Sequence, residues 1–181
     1  GASISKTIEH LGGNPEEPFA IFPEVQKLYA ERRIELEKIV AKRKAEQFAW
    51  EKENPEKAIL LHQYFSGKVP DIDYKSIVHK PDVATRVASS DVLGVFGEQI
   101  GNMIVSSADL ANSDKTDGFL KKTHAFINGD FTGAFLQAGV SELTMAAIMN
   151  GMALHGGIIP ACGTFFVFSD YMKPAVRLAA L

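Results

Sequence analysis

From Pro81 onward, nearly continuous apolar runs alternate with helical stretches, and no other feature constrains the fold as much. Residues 99–106 carry Ile100, Met103, Ile104 and Val105 and read as a buried strand. A second strand is predicted near 134–138, and 158–168 supplies one or two more. Before the first of them the spacing predicts a helix capped by Ser89 or Ser90 and running to about Phe96. A further helix is expected over about 142–154, and a last one from near Asp170. A strand solvated on one face would alternate apolar and polar residues, and these do not. They belong in a parallel sheet covered by helices on both faces, so the expected class is α/β.

The first part of the chain has another character. Residues 23–53 are dense in mixed charge, with Pro23 well placed at a helix start. Val25, Leu28, Leu36, Ile39 and Val40 recur at roughly helical spacing, which predicts a long, largely exposed helix with one buried stripe. Acidic residues interleave the basic triplets 31–33 and 42–44, so a solvated face is expected rather than a nucleic-acid patch. Residues 54–80 form a connector punctuated by Pro55, Gly67 and Pro70, with a short helix from Pro55 to about Phe65.

Composition narrows the function classes. With 46% apolar residues and a net charge of −3 the chain is expected to fold, and it has no general attraction for polyanions. One cysteine excludes an intramolecular disulfide and a cysteine-only zinc site. The longest apolar stretch, 143–168, is broken by Asn150, His155, Pro160 and several glycines, so it is read as core and not as a membrane span. The chain starts at Gly1 without a methionine and stops at Leu181 inside an apolar helix, so a piece of a longer protein is expected.

Few residues can carry chemistry. Glu142 is the one formally charged residue between Asp130 and Asp170. An ionised carboxylate in such apolar surroundings is unfavourable unless it is paired or hydrogen-bonded. It stands where a strand hands over to a helix, and ligand sites in open α/β sheets cluster there. A helix-start glutamate favoured by the macrodipole is the other reading of that position. Phe165, Phe168 and Tyr171 follow one another at intervals of three, a spacing open to core or to pocket. The polar loop 106–114 suits a ligand or an ordinary turn. Arg86 could grip phosphate or lie on the surface. His155 and Cys162 read as structural, and further metal ligands at usable spacing are missing.

These segments together resemble transketolase. The resemblance is closest over residues 139–151, where Gly139-Val140-Ser141-Glu142 is followed by Met145, Ile148, Asn150 and Gly151. It continues through His155-Gly156-Gly157, Gly163-Thr164-Phe165, Asp170-Tyr171 and on to Leu181. Upstream, Ser107-Ala108-Asp109-Leu110 and Thr85-Arg86 with Ser89 are similar to family segments. Leu11-Gly12-Gly13 with Pro18-Phe19 resembles the linker between the family's first two domains.

The resemblance implies a thiamine-diphosphate-binding fold, present in part. Residues 1–80 would be an interdomain linker with a long charged helix, and 81–181 the N-terminal part of the pyrimidine-binding domain. It implies that Glu142 is catalytic and hydrogen-bonds the aminopyrimidine of thiamine diphosphate. Phe165, Phe168 and Tyr171 would wall that ring, Asp109 and Leu110 would line the cofactor cleft, and Arg86 and Ser113 would hold the sugar phosphate. A divalent metal, magnesium or calcium, would sit on a diphosphate-binding domain outside this chain, with no metal ligand here. The implied activity moves a two-carbon ketol unit from a ketose phosphate to an aldose phosphate, in the pentose phosphate pathway. The implied setting is a cytoplasmic homodimer, or a separate chain supplying the diphosphate domain, without nucleic-acid or membrane partners. Another thiamine-diphosphate enzyme, such as a deoxyxylulose-phosphate synthase or a 2-oxoacid dehydrogenase subunit, and a non-catalytic assembly module of the same fold are the alternatives. This chain on its own is expected to be inactive.

The sequence departs from the family pattern at several places. Ser141 replaces an arginine, Val105-Ser106 a pair of glycines and Val87 a lysine. Asn112-Ser113-Asp114 replaces Pro-Ser-Asn.

Overall fold

The structure is a computed structural model that describes residues 1–68 and 70–181. It divides into two compact units, Gly1–Pro55 and Glu56–Leu181. The first holds α1 (Ala2–His10) and the 31-residue α2 (Pro23–Glu53). Helix α2 starts and ends close to where its charge pattern predicts. The expected buried stripe is absent: Leu28 is 64% exposed, and no residue of α2 is buried. Lys and Arg side chains pair with Glu three or four residues on, as in Arg33–Glu37 at 3.2 Å. Such exposed pairs add only about 0.3–0.5 kcal/mol each.

The second unit opens with α3 (Pro55–Phe65) and carries a parallel sheet. Its strands are β1 (Met103–Ser107), β2 (Phe135–Gln137) and β3 (Ile159–Gly163), in the order β2-β1-β3. Val105 on the central strand is opposite Phe135 on one side and Ala161 on the other. Helices α4 (Thr85–Gln99), α5 (Ala111–Asp114) and α6 (Asp117–Leu120) flank β1 in the chain, and α7 (Glu142–His155) carries it from β2 to β3. Helix α8 (Ser169–Ala179) packs on α7, where Asn150 Nδ2 donates to the Ala175 carbonyl at 2.8 Å. Among the described residues no helix is long and apolar enough to cross a membrane.

The core gathers where the strand pattern places it. Met103 and Val105, two apart and so on one face of β1, join Ile72, Ile100, Phe119 and Phe135. Leu93 and Phe96 of α4 pack against this cluster.

Several boundaries differ from expectation for identifiable reasons. Helix α4 starts at Thr85, four residues before Ser89. Its N-cap is Ala84, whose carbonyl accepts from Val87 N at 2.8 Å without any side-chain cap. Gln99 closes α4, and a turn at Gly101 and Asn102 delays β1 to Met103. Ile100 is buried in that turn, so the apolar run recorded burial and not extended backbone. Residues 158–168 hold one strand and then a 3₁₀ turn, Phe166–Phe168. The loop after β1 contains two one-turn helices, α5 and α6.

At Gly118 α6 passes close to α4. A Cβ there would lie 2.2 Å from the Ser90 carbonyl oxygen and 2.4 Å from its Oγ. Main chain has to move to make room, so Gly118→Ala is expected to destabilise by about 1–3 kcal/mol. A thermal melt checks this, and an unchanged melting temperature would mean that α4 and α6 are further apart.

Candidate functional site

All three strands run parallel, so their carboxyl ends open at the same edge of the sheet. Residues 108–110 follow β1, residues 138–141 lead from β2 into α7, and Thr164 follows β3. A crevice at this edge is the expected ligand position in an open α/β sheet. A cleft of about 650 Å³ lies there, lined by Ala108, Asp109, Leu110, Val140 to Thr144, Phe168 and Tyr171.

Glu142 is its buried acid. As the first residue of α7 it shares a helical stripe with Met145, Ala146 and Met149, and all four are buried. The residue is 7% exposed. Its contact is the Thr164 hydroxyl, 3.5 Å from Oε1, at the long limit for a hydrogen bond. The turn before it is tightly built. Gly139 has φ of 68°, a conformation natural for glycine, and Ser141 Oγ donates to the Ala138 carbonyl at 2.7 Å. Glu142 starts a helix, where the dipole favours a negative charge, and it also lines the cleft.

The aromatic residues form a short row. Phe165 and Phe168 stack with centroids 6.0 Å apart and planes at 28°. Phe168 and Tyr171 follow at 6.2 Å and 33°. Phe168 and Tyr171 line the cleft, and Phe165 backs Phe168 from behind it.

The structure thus brings Glu142, Asp109, Leu110, Phe168 and Tyr171 together. Ser113 lines a neighbouring cleft of about 310 Å³ that shares Asp109 and Leu110. Arg86 lines a third, of about 480 Å³, with Ser89, Asp114, Thr116, Cys162 and Thr164. Its guanidinium has no ion pair or hydrogen bond among the described residues. Cys162 lies at the same edge, and burial pushes its thiol above the ordinary value. Thr164, which touches Glu142 and lines the Arg86 cleft, was not singled out in the sequence as a site residue. Its place directly after a buried strand was the available signal.

With this geometry the comparison with known proteins is decisive. Residues 81–181 match the family profile described as transketolase, pyrimidine binding domain. The chain belongs to this transketolase family. A transketolase from Geobacillus stearothermophilus is 40% identical over 163 residues, which cover 86% of this chain and 24% of that protein. The Aquifex aeolicus transketolase is 39% identical over 184 residues, 100% of this chain and 26% of the relative. The chain therefore spans about a quarter of the length of the curated relatives it matches. Transketolase from Leishmania mexicana superposes with a TM-score of 0.78 at 28% identity, over 99% of this chain and 27% of that one. A Pichia stipitis transketolase in complex with sedoheptulose-7-phosphate gives 0.76 at 33% identity, over 98% and 27%. The transketolase fold is thus present in part, as an open three-stranded parallel sheet with its helices.

Proposed function

We propose that the full-length protein containing this chain is a thiamine-diphosphate-dependent transketolase. It moves a two-carbon ketol unit from a ketose phosphate to an aldose phosphate. One observation carries this reading above the family match: a buried glutamate and a pair of aromatic side chains line a single cleft at the carboxyl ends of parallel strands. Residues 1–80 are proposed as the interdomain linker and 81–181 as part of the pyrimidine-binding domain.

The cleft suits a flat heteroaromatic ring. Leu110, Val140, Leu143 and Phe168 supply apolar walls, and Glu142 supplies one buried proton-exchanging group. When bound, thiamine diphosphate supplies the carbon nucleophile that carries the two-carbon unit, chemistry that belongs to the cofactor. The chain's own residues position it and control a proton. Glu142 would hydrogen-bond a ring nitrogen and hold or return a proton there. Phe168, backed by Phe165, and Tyr171 orient the ring. Asp109 and Leu110 line the same cleft. Arg86 and Ser113 are the proposed sugar-phosphate contacts. An unpaired guanidinium fork matches phosphate geometry. The diphosphate and a divalent metal, magnesium or calcium, are assigned to a domain outside this chain, in a cytoplasmic homodimer or on a separate chain.

The test is an assay of the full-length gene product with ketose and aldose phosphates, with and without thiamine diphosphate and magnesium. Two-carbon transfer that depends on the cofactor is expected, and the 181-residue chain alone is expected to be inactive. Cofactor-dependent decarboxylation of a 2-oxoacid without ketol transfer would assign it to another thiamine-diphosphate enzyme. Absence of cofactor binding would overturn the reading altogether.

A further inference from the structure

One side chain that the roles above leave unused ties the three clefts together. Asp114 ends α5 and lines the Arg86 cleft. Its Oδ1 accepts from Thr116 N at 2.9 Å and from Thr116 Oγ1 at 2.8 Å. Its Oδ2 accepts from Ser107 Oγ at 2.7 Å. Ser107 is the last residue of β1 and is 2% exposed. The same Ser107 Oγ accepts from Leu110 N at 3.1 Å. A continuous chain of hydrogen bonds therefore runs from the start of α6 through Asp114 and Ser107 to the backbone of Leu110.

The segment held by this chain is strained. Asp109 lies inside the turn closed by the Ser107–Leu110 bond and has φ of 63°. Aspartate tolerates the left-handed region better than most residues, yet the conformation persists only where its surroundings hold it. Asp109 and Leu110 line both the Glu142 cleft and the Ser113 cleft. The end of β3 lies close to the other end of this chain of bonds, since a Cβ on Gly163 would lie 2.6 Å from Thr116 Cγ2 and 3.5 Å from Asp114 Oδ2.

We propose that Asp114 is a positioning residue: acting through Ser107, it holds the wall formed by left-handed Asp109 and by Leu110 against the Glu142 cleft in the shape that receives thiamine diphosphate. With three donors directed at its two oxygens, the carboxylate is occupied within the protein and acts on the cofactor through Ser107. This rests on the thiamine-diphosphate reading above. An asparagine at this position keeps one acceptor oxygen for Thr116, and its amide donates to a Ser107 hydroxyl that turns to accept. An alanine leaves Ser107 and Thr116 without their acceptor, in a site where buried polar groups are expensive to strand.

The experiment is a titration of thiamine diphosphate, with magnesium, into the cofactor-free full-length gene product, followed by protein fluorescence. Asp114→Ala and Ser107→Ala are each expected to weaken binding about tenfold, the loss of one buried hydrogen-bond partner. The double variant is expected to match the weaker single one, because both interrupt the same chain. Asp114→Asn is expected within about threefold of wild type, a rescue that mere occupancy of the site does not give to alanine. Binding by both alanine variants within twofold of wild type, or losses that multiply in the double variant, would overturn the proposal and leave the thiamine-diphosphate reading intact. If wild type binds no thiamine diphosphate, that reading fails and the proposal with it. If Asp114→Ala does not fold by circular dichroism, Ser107→Ala and Asp114→Asn decide, since one breaks the chain and the other keeps it.

Discussion

Glu142→Gln in the full-length gene product is expected to lower kcat about 10²–10⁴-fold, the range for loss of a positioned proton-transfer group. Glutamine has the same shape, so the cleft and its aromatic row should survive. What is lost is the group that holds and returns a proton. KM for the sugar phosphates should change little, because Arg86 and Ser113, the proposed phosphate contacts, line other clefts. The fold should be no less stable, because the substitution removes an ionisable group from an apolar wall. Steady-state kinetics together with a thermal melt check both parts. A kcat within threefold of wild type would remove Glu142 from the mechanism, whatever the fold does.

Phe135→Ala is the substitution expected to damage the fold most, by about 3–5 kcal/mol. Phe135 is 1% exposed and opens β2, a strand of three residues, opposite Val105. It shares a core cluster with Ile72, Ile100, Met103 and Phe119, residues that come from three separate stretches of chain. A cavity there cannot close without moving β1, whose carboxyl end carries residues 108–110 of the cleft. The urea midpoint of the transition that includes this domain measures the loss. A loss below about 1 kcal/mol would mean that the surroundings collapse onto the missing ring, as well-accommodated sites do. Loss of thiamine-diphosphate binding should accompany the destabilisation, because β1 and the turn into α7 flank this residue.

The two expectations draw on opposite kinds of environment. Phe135 is surrounded by partners that reward its burial. Glu142 is buried on the same helical stripe as Met145 and Met149, where an apolar residue would pack better. A buried acid with one long hydrogen bond among the described residues is the kind of group that the proposed chemistry calls for.

How much of this was legible depends on how local each signal is. Helix α7 was expected over 142–154 and spans Glu142–His155, because its apolar residues and starting turn lie within a few positions of one another. Helices α2 and α3 and strand β2 followed for the same reason. The start of α4 was missed because Ala84 caps it with backbone alone. The stripe on α2 was misjudged because spacing shows that one face is apolar and does not show that anything covers it. Of the one or two strands expected in 158–168 one forms, because Phe166 and Val167 look like strand residues but Phe166 is 93% exposed in a 3₁₀ turn.

By itself the sequence determined the class of fold, the isolated acid at position 142 and the aromatic series 165, 168 and 171. Each rests on neighbours in the chain and on the chemistry of the side chains themselves. Only the tertiary structure decided which of these residues share a cleft. Asp109, Leu110, Glu142, Phe168 and Tyr171 meet, while Arg86 and Ser113 line clefts of their own. It also decided that Asp109 takes a left-handed turn held by Ser107 and Asp114. The physical reason is register. Val105 faces Phe135 and Ala161 across two parallel pairings that join residues 30 and 56 positions apart. Those pairings bring three strand ends to one edge of the sheet, and side-chain spacing along the chain carries no record of them.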